Sequence, residues 1–376
     1  MLKVMTIAGT RPELIRLSQV IKRLDETVDH VLVHTGQNYD YTLNEVFFRD
    51  LGLRAPDHML GVDTSSLGRV LGETLIKTEE VLLAERPDAV LVLGDTNSCV
   101  AAVMAKRMRI PVYHMEAGNR CFDENVPEET NRRLVDHVAD FNLVYTEHAR
   151  RNLLSEGLHP RRILKTGSPM REVLNAYREQ VLASDVVERL GLSEGGYFLV
   201  SAHREENVDS PERLRMLLDC LVAVHDEFDL PVFVSTHPRT RKRLEALPEG
   251  GDVKGVTFGE PLGFHDYNKL QLSAACCLSD SGTIAEEATL LGFPAITLRD
   301  SIERPEALDT GGIIMTGLDA ADVVEGVKAA MSTTRGRSGA SHVTPDDYLI
   351  DNTSERAVNF ILSTARRHRQ WSGIRP

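Results

Sequence analysis

Residues 3–24 read KVMTIAGTRPELIRLSQVIKRL: a short apolar run, a turn, then a helical period. The run over 3–8 has little polar alternation, as a strand buried on both faces does. Gly9, Thr10 and Arg11 interrupt it, and Pro12 suits the first turn of a helix. From there Leu14, Ile15, Leu17, Val20, Ile21 and Leu24 share one helical face. The same unit recurs outward along the chain. Apolar runs stand at 30–35, 89–94, 111–116 and 141–146, and again at 197–203, 231–237, 275–280, 294–299 and 313–316. Alternating strand and helix signals predict parallel sheets with helices on both sides. A polar, helical stretch over 170–196 ends in Glu194-Gly195-Gly196 and marks a domain boundary. The fold class is therefore α/β, with two Rossmann-like domains, 1–170 and 171–351, and a cleft between them. Residues 332–347 read as a polar loop and 352–367 as a final helix.

Composition narrows the function. A chain of 376 residues allows about two or three domains. With 42% hydrophobic and 26% charged residues it is globular and not disordered. No apolar run approaches the roughly 20 residues a membrane span needs, and residues 1–13 lack the pattern of a signal peptide. A net charge of -13 argues against nucleic-acid binding, which needs a basic surface. It also means that an anionic ligand must find local positive charge. The five cysteines, Cys99, Cys121, Cys220, Cys276 and Cys277, follow no disulfide or zinc spacing, so reduced thiols in the cytosol are expected. Cys276 and Cys277 read as core thiols on opposite faces of one strand.

Sheets of this type bind ligands at the carboxyl ends of their strands. The polar residues gather there: 9–13, 35–40, 94–98, 114–120, 201–207, 236–239, 279–283 and 303–306. Each has a plain structural explanation as well as a functional one. Ser281-Gly282-Thr283 opens a helix bearing Glu286 and Glu287, which makes an anion site or an ordinary N-cap. Arg304 could neutralise a phosphate or be a solvated surface group. Asp95 could be a base, a metal ligand or an N-cap. Glu116 could be a buried acid of raised pKa or the salt-bridge partner of Arg120. Glu128 and Arg132 are four apart, hence on one helical face, and could form a surface ion pair. His203 and His237 each follow a strand. The chain carries no Gly-x-Gly-x-x-Gly, no phosphate-loop lysine, no His-Glu-x-x-His and no Gly-x-Ser-x-Gly. That sets aside dinucleotide cofactors, a zinc site and a serine nucleophile, and leaves acid/base chemistry on an anionic ligand. No cofactor and no metal are expected.

Taken together and in order, the loops are more specific. They are Gly-Thr-Arg-Pro-Glu (9–13), Thr-Gly-Gln (35–37), Gly-Asp-Thr (94–96), Glu-Ala-Gly-Asn-Arg (116–120), Pro-Glu-Glu-Thr-Asn-Arg (127–132), His-Arg-Glu (203–205), Asp-Ser-Gly-Thr (280–283) and Glu-Arg-Pro-Glu (303–306). The chain resembles the non-hydrolysing UDP-N-acetylglucosamine 2-epimerase family over almost its full length. The resemblance implies a glycosyltransferase-B-type fold, a UDP-binding second domain, a C-terminal helix (about 352–376) that crosses back to the first domain, and a cytoplasmic homodimer. Longer matches at 35–41, 94–99, 114–123, 201–211 and 261–267 look like the enzymes that make UDP-N-acetyl-L-fucosamine from UDP-2-acetamido-2,6-dideoxy-L-talose. Thr283, Leu262, Tyr267 and Arg16 depart from the N-acetylglucosamine group, which has Gly, Gln, Phe and Lys there.

The resemblance also implies a mechanism, elimination of UDP across C1–C2 to a 2-acetamidoglycal followed by re-addition. Asp95, Glu116 and Glu128 match the carboxylates of the proton steps, and Arg132 would hold one of them ionised. His203 would contact the diphosphate, with Arg11, Arg16, Ser281, Gly282 and Arg304 neutralising it. Glu287 would accept from the ribose hydroxyls, and Tyr267 and Thr283 belong to the same nucleotide site. Gln37, Cys121, His237 and Arg239 either line the site or support it. Three other readings compete: a UDP-N-acetylglucosamine 2-epimerase, a UDP-sugar glycosyltransferase, and a non-catalytic UDP-sugar sensor. A glycosyltransferase would leave Glu116, Glu128 and Arg132 without work, because it needs no proton shuttle at C2.

Overall fold

The computed structural model describes residues 1–36, 48–247, 253–332 and 344–375. The chain forms two compact units, Met1–Ala176 with Asp346–Pro376, and Tyr177–Pro345. The boundary falls inside the polar helical stretch, which is broken into Met170–Ala176, Arg178–Ala183 and Val186–Arg189.

The first unit is built on a parallel sheet. Among the described residues its strands are β1 (Lys3–Ala8), β2 (Asp29–His34), β3 (His58–Met59), β4 (Ala89–Leu93), β5 (Val112–Met115), β6 (Phe141–Val144) and β7 (Ile163–Lys165). Their spatial order is β3-β2-β1-β4-β5-β6-β7. All five residues of β4 are buried, which explains its unbroken apolar sequence. The helix Arg11–Thr27 buries Leu14, Leu17, Val20, Ile21 and Leu24 and leaves Ile15 half-buried. One face of the sheet packs Met5, Ile7, Val31, Val33, Val90 and Val92 against Ala101, Ala102, Ala105 and Val135. Near the C-terminus the helix Thr353–Thr364 packs on Arg11–Thr27. Its first residue donates through Oγ1 to the carbonyls of Thr166 (3.2 Å) and Ser168 (3.1 Å).

The second unit repeats the plan. Its strands are β8 (Phe198–Ser201), β9 (Val232–Ser235), β10 (Val256–Gly259), β11 (Cys276–Ser279), β12 (Ala295–Thr297) and β13 (Ile314–Met315), in the order β10-β9-β8-β11-β12-β13, all parallel. Phe198, Val200, Val232, Leu278 and Ile296 meet Leu214, Leu217 and Leu221 of the helix Pro211–Phe228. Ser210 caps that helix by accepting from Arg213 N–H. Cys276 and Cys277 are both buried thiols, as their place in β11 predicts.

Among the described residues the structure adds three strands to the sequence reading: β3, β7 and β10. Each is at a sheet edge. β3 and β7 are only two and three residues long and β10 keeps all four residues partly or wholly exposed, so none shows a long apolar run, whereas the edge strand β13 lies in the apolar run 313–316.

In both sheets the strand order reverses once, between β1 and β4 and between β8 and β11. At such a point neighbouring connections leave in opposite directions, and a crevice opens at the carboxyl ends.

Candidate active site

At the first reversal the two flanking loops are tied together by one buried acid. Glu13 Oε2 accepts from Gly9 N–H (3.1 Å) and Thr10 Oγ1 (2.8 Å) after β1, and from Thr96 Oγ1 (3.0 Å) after β4. Its Oε1 accepts from Ser98 Oγ at 2.5 Å. Burial pushes the Glu13 carboxyl above its ordinary value, against the pull of these four donors. Arg11 is the first residue of its helix and is half-buried.

Asp95 follows Gly94, whose φ of +70° turns the chain out of β4. Its carboxylate is ion-paired with Arg132. Asn131 Nδ2 donates to the Asp95 carbonyl (3.0 Å) and to Asn97 Oδ1 (3.1 Å). Thus two consecutive residues of the helix Glu128–Val138 grip the Asp95 loop. Arg132 Nη1 also donates to Glu129 Oε2 at 2.6 Å. The sequence suggested Glu128 as the partner of Arg132 at four residues; the structure adds Glu129 at three. Glu128 is half-buried in the first turn, beside the buried Glu129.

Glu116 directly follows β5 in the left-handed region, with φ +63°, a conformation costing a non-glycine residue about 1–3 kcal/mol. It is buried and ion-paired with Arg16. Arg16, expected at a diphosphate, therefore lies against a carboxylate. Arg120 has other partners: Asp136 (2.7 Å) and both oxygens of Glu156 (2.8 and 2.7 Å). Asp136 also accepts from His114 Nδ1 (2.9 Å) and Gly118 N–H, while His114 Nε2 meets the Gly94 carbonyl at 2.7 Å. This buried network fixes the ends of β4 and β5 from behind.

At the second reversal Asp280 has the tying role. It accepts from the N–H groups of His203 (3.1 Å) and Arg204 (3.0 Å) and from Asn207 Nδ2 (3.1 Å), and it lies 3.4 Å from His203 Nδ1. The His203 and His237 rings are 5.8 Å apart. His237 caps the helix Pro238–Glu245 through Nδ1, which accepts from Arg239 N–H, and Arg239 pairs with Asp209 and Glu205.

Ser281-Gly282-Thr283 leads into the helix Ile284–Leu291. Ser281 Oγ is 2.9 Å from Thr283 Oγ1. A Cβ on Gly282 would stand 3.1 Å from Arg304 Nη1 and 3.4 Å from Arg204 Nη2. Two guanidinium groups therefore converge on the one residue without a side chain, at a helix N-terminus. Arg304 is held by Glu286 (3.0 Å), and Arg204 lies 3.9 Å from Glu303, which is itself held by Arg299 (2.6 Å). Glu287 Oε2 accepts from Gln271 Nε2 at 2.6 Å. Tyr267 shares a hydrogen bond with Ser201, and burial, reinforced by the Glu287 charge, pushes its phenol well above the usual value.

The structure thus groups Arg11, Arg16, Asp95, Glu116, Glu128 and Arg132 in the first unit, and His203, Tyr267, Ser281, Gly282, Thr283, Glu287 and Arg304 in the second. Gln37 lies outside the described residues. Sequence reasoning missed Glu129 and Arg204. The signal for Glu129 was its three-residue spacing to Arg132; for Arg204 it was its place beside His203. Among the described residues no group of three or more His, Cys, Asp or Glu side chains could hold a metal ion.

Two parallel α/β units, each with polar residues at its strand-order reversal, match the glycosyltransferase-B-like fold of solved nucleotide-sugar 2-epimerases. The chain belongs to the UDP-N-acetylglucosamine 2-epimerase family, whose sequence profile matches residues 22–362. It is similar to a structure of UDP-N-acetylglucosamine 2-epimerase from Rickettsia bellii, with 45% identity, 98% of each chain covered and a TM-score of 0.90. It is similar to the Methanocaldococcus jannaschii UDP-GlcNAc 2-epimerase in complex with UDP-GlcNAc and UDP, with 33% identity, 96% and 100% coverage and a TM-score of 0.88. A Pseudomonas aeruginosa UDP-2,3-diacetamido-2,3-dideoxy-D-glucuronate 2-epimerase is 34% identical over 89% of this chain and 93% of its own. The protein is an isomerase, a non-hydrolysing 2-epimerase of UDP-acetamido sugars. Among the described residues no helix is long and apolar enough to cross a membrane.

Proposed function

We propose that the protein converts UDP-N-acetylglucosamine to UDP-N-acetylmannosamine by elimination and re-addition of UDP. The names of its relatives support this substrate. The pairing of Asp95 with Arg132 at the first reversal carries the mechanistic part. The C2 proton of a 2-acetamido sugar is not next to a carbonyl, so its removal must be coupled to loss of a leaving group. A carboxylate takes the C2 proton, the C1–O bond to UDP breaks, and a C1=C2 glycal forms. A proton then reaches the other face of C2 and a UDP oxygen re-forms the bond to C1. Asp95, Glu116 and Glu128 are the proton carriers in this scheme, and a positioned acid or base contributes about 10²–10⁴-fold. Arg132 keeps Asp95 ionised. His203, Ser281, Gly282, Arg304 and Arg11 stabilise the departing diphosphate, Glu287 holds the ribose, and Tyr267 and Thr283 shape the nucleotide site.

A second substrate, UDP-2-acetamido-2,6-dideoxy-L-talose, is favoured by Thr283, Leu262, Tyr267 and Arg16, where the N-acetylglucosamine group differs. Proton NMR in D₂O with each sugar in a parallel tube separates the two. Deuterium at C2 and a new epimer from UDP-N-acetylglucosamine support the first reading. Exchange only in the 6-deoxy sugar transfers the assignment to the second, and exchange in neither overturns both. The resemblance further implies a homodimer, which sedimentation velocity tests.

A further inference from the structure

We propose that Glu129 is a positioning residue for proton transfer: it anchors one arm of the Arg132 guanidinium so that the other arm is aimed at Asp95. The inference rests on the reading of Asp95 as a proton carrier.

Glu129 and Glu128 are adjacent acids with different surroundings. The Glu129 side chain is only 6% exposed. Both of its oxygens are bound by this chain's own donors. Oε1 accepts from Arg133 Nε (3.1 Å). Oε2 accepts from Arg132 Nη1 (2.6 Å), from Cys121 N–H (3.3 Å) and from the Cys121 thiol (3.4 Å). A carboxylate so occupied is poorly placed to exchange a proton with a substrate, but well placed to hold a guanidinium still.

Arg132 itself is 3% exposed and splits its fork between two acids, Nη1 to Glu129 and Nη2 to Asp95. Because the fork is planar and rigid, holding one arm restricts where the other can point. The Cys121 contacts join this arrangement to the loop after β5, so the anchor is set by two segments and not by the helix alone. Loosening the Nη1 arm lets the guanidinium turn and carries the Asp95 carboxylate with it. A displacement of about 1 Å at a reacting group costs about 10²-fold in rate.

The test uses the whole chain with Glu129→Gln, Arg132→Lys and the double variant. Glu129→Gln is expected to lower kcat about 10- to 100-fold while KM stays within about threefold. Glu129→Asp keeps the charge but shortens the reach, and gives a similar loss. Because Glu129 acts through Arg132, adding Glu129→Gln to Arg132→Lys costs less than about threefold more. Effects that multiply across the pair, or a Glu129→Gln protein with wild-type kcat, overturn the proposal. Nitrogen-15 NMR of the arginine side chains reads the anchor without any substrate, and so separately from the epimerase reading. Slowed rotation of the Arg132 guanidinium in the wild type and faster rotation in Glu129→Gln support it. Identical rotation in the two proteins refutes it.

Discussion

The two strand-order reversals share a topology and have opposite chemistry. At the first, between β1 and β4, the acids Glu13, Asp95, Glu116, Glu128 and Glu129 gather, and arginines from the flanking helices pair with Asp95, Glu116 and Glu129. At the second, between β8 and β11, arginines converge on a bare glycine, and the acids stand behind them as Glu286 and Glu303. One acid in each place has a purely architectural task. Glu13 joins the loops after β1 and β4, and Asp280 joins those after β8 and β11. Topology thus selects where a site forms, and the side chains put there select what it does. On the proposed function, proton transfer belongs to the acid-rich reversal and most of the diphosphate binding to the arginine-rich one, with Arg11 reaching it from the first.

The largest effect that could break this division is at Asp95. Asp95→Asn should lower kcat by about 10²–10⁴-fold and leave UDP affinity unchanged by calorimetry. Loss of UDP binding in that variant would erase the contrast between the two regions. Next comes Arg16→Ala, which leaves the buried Glu116 carboxylate without that partner. It should cost about 3–5 kcal/mol in urea unfolding, much of it recovered by adding Glu116→Gln.

A smaller loss is expected at the other reversal. Arg204→Ala should weaken UDP binding by about 10- to 100-fold, the worth of a hydrogen bond to a charged group. Exchange at C2 under saturating substrate should persist. The smallest effect concerns Glu13. Its carboxyl is raised in the folded protein by burial, so its contribution to stability is complete below the unfolded value and fades as pH rises through the folded one. Measured by urea unfolding at a series of pH values from about 4 upward, the wild type should lose stability relative to Glu13→Gln. A difference that is flat with pH would contradict the assignment.

Much of this was legible in the sequence, for identifiable reasons. β1, β4 and β8 are shielded on both faces and wrote their positions as apolar runs; β3 and β7 are very short and β10 is partly exposed throughout, and they wrote none. Asp95 and Glu116 stand out because each ends an apolar run. Arg204 does not, because it is one of six polar residues in 201–207. Glu129 was hidden by its neighbour: Glu128 is four residues from Arg132, yet the helix start also brings Glu129 against Arg132. The pairing of Arg16 with Glu116 joins residues 100 positions apart, which no local pattern encodes.

The most direct test follows solvent deuterium into C2 of the bound nucleotide sugar in Asp95→Asn and Arg204→Ala, each saturated with substrate. The account predicts that exchange falls by about 10²-fold or more in Asp95→Asn and continues in Arg204→Ala. Exchange at the wild-type rate in Asp95→Asn would contradict it.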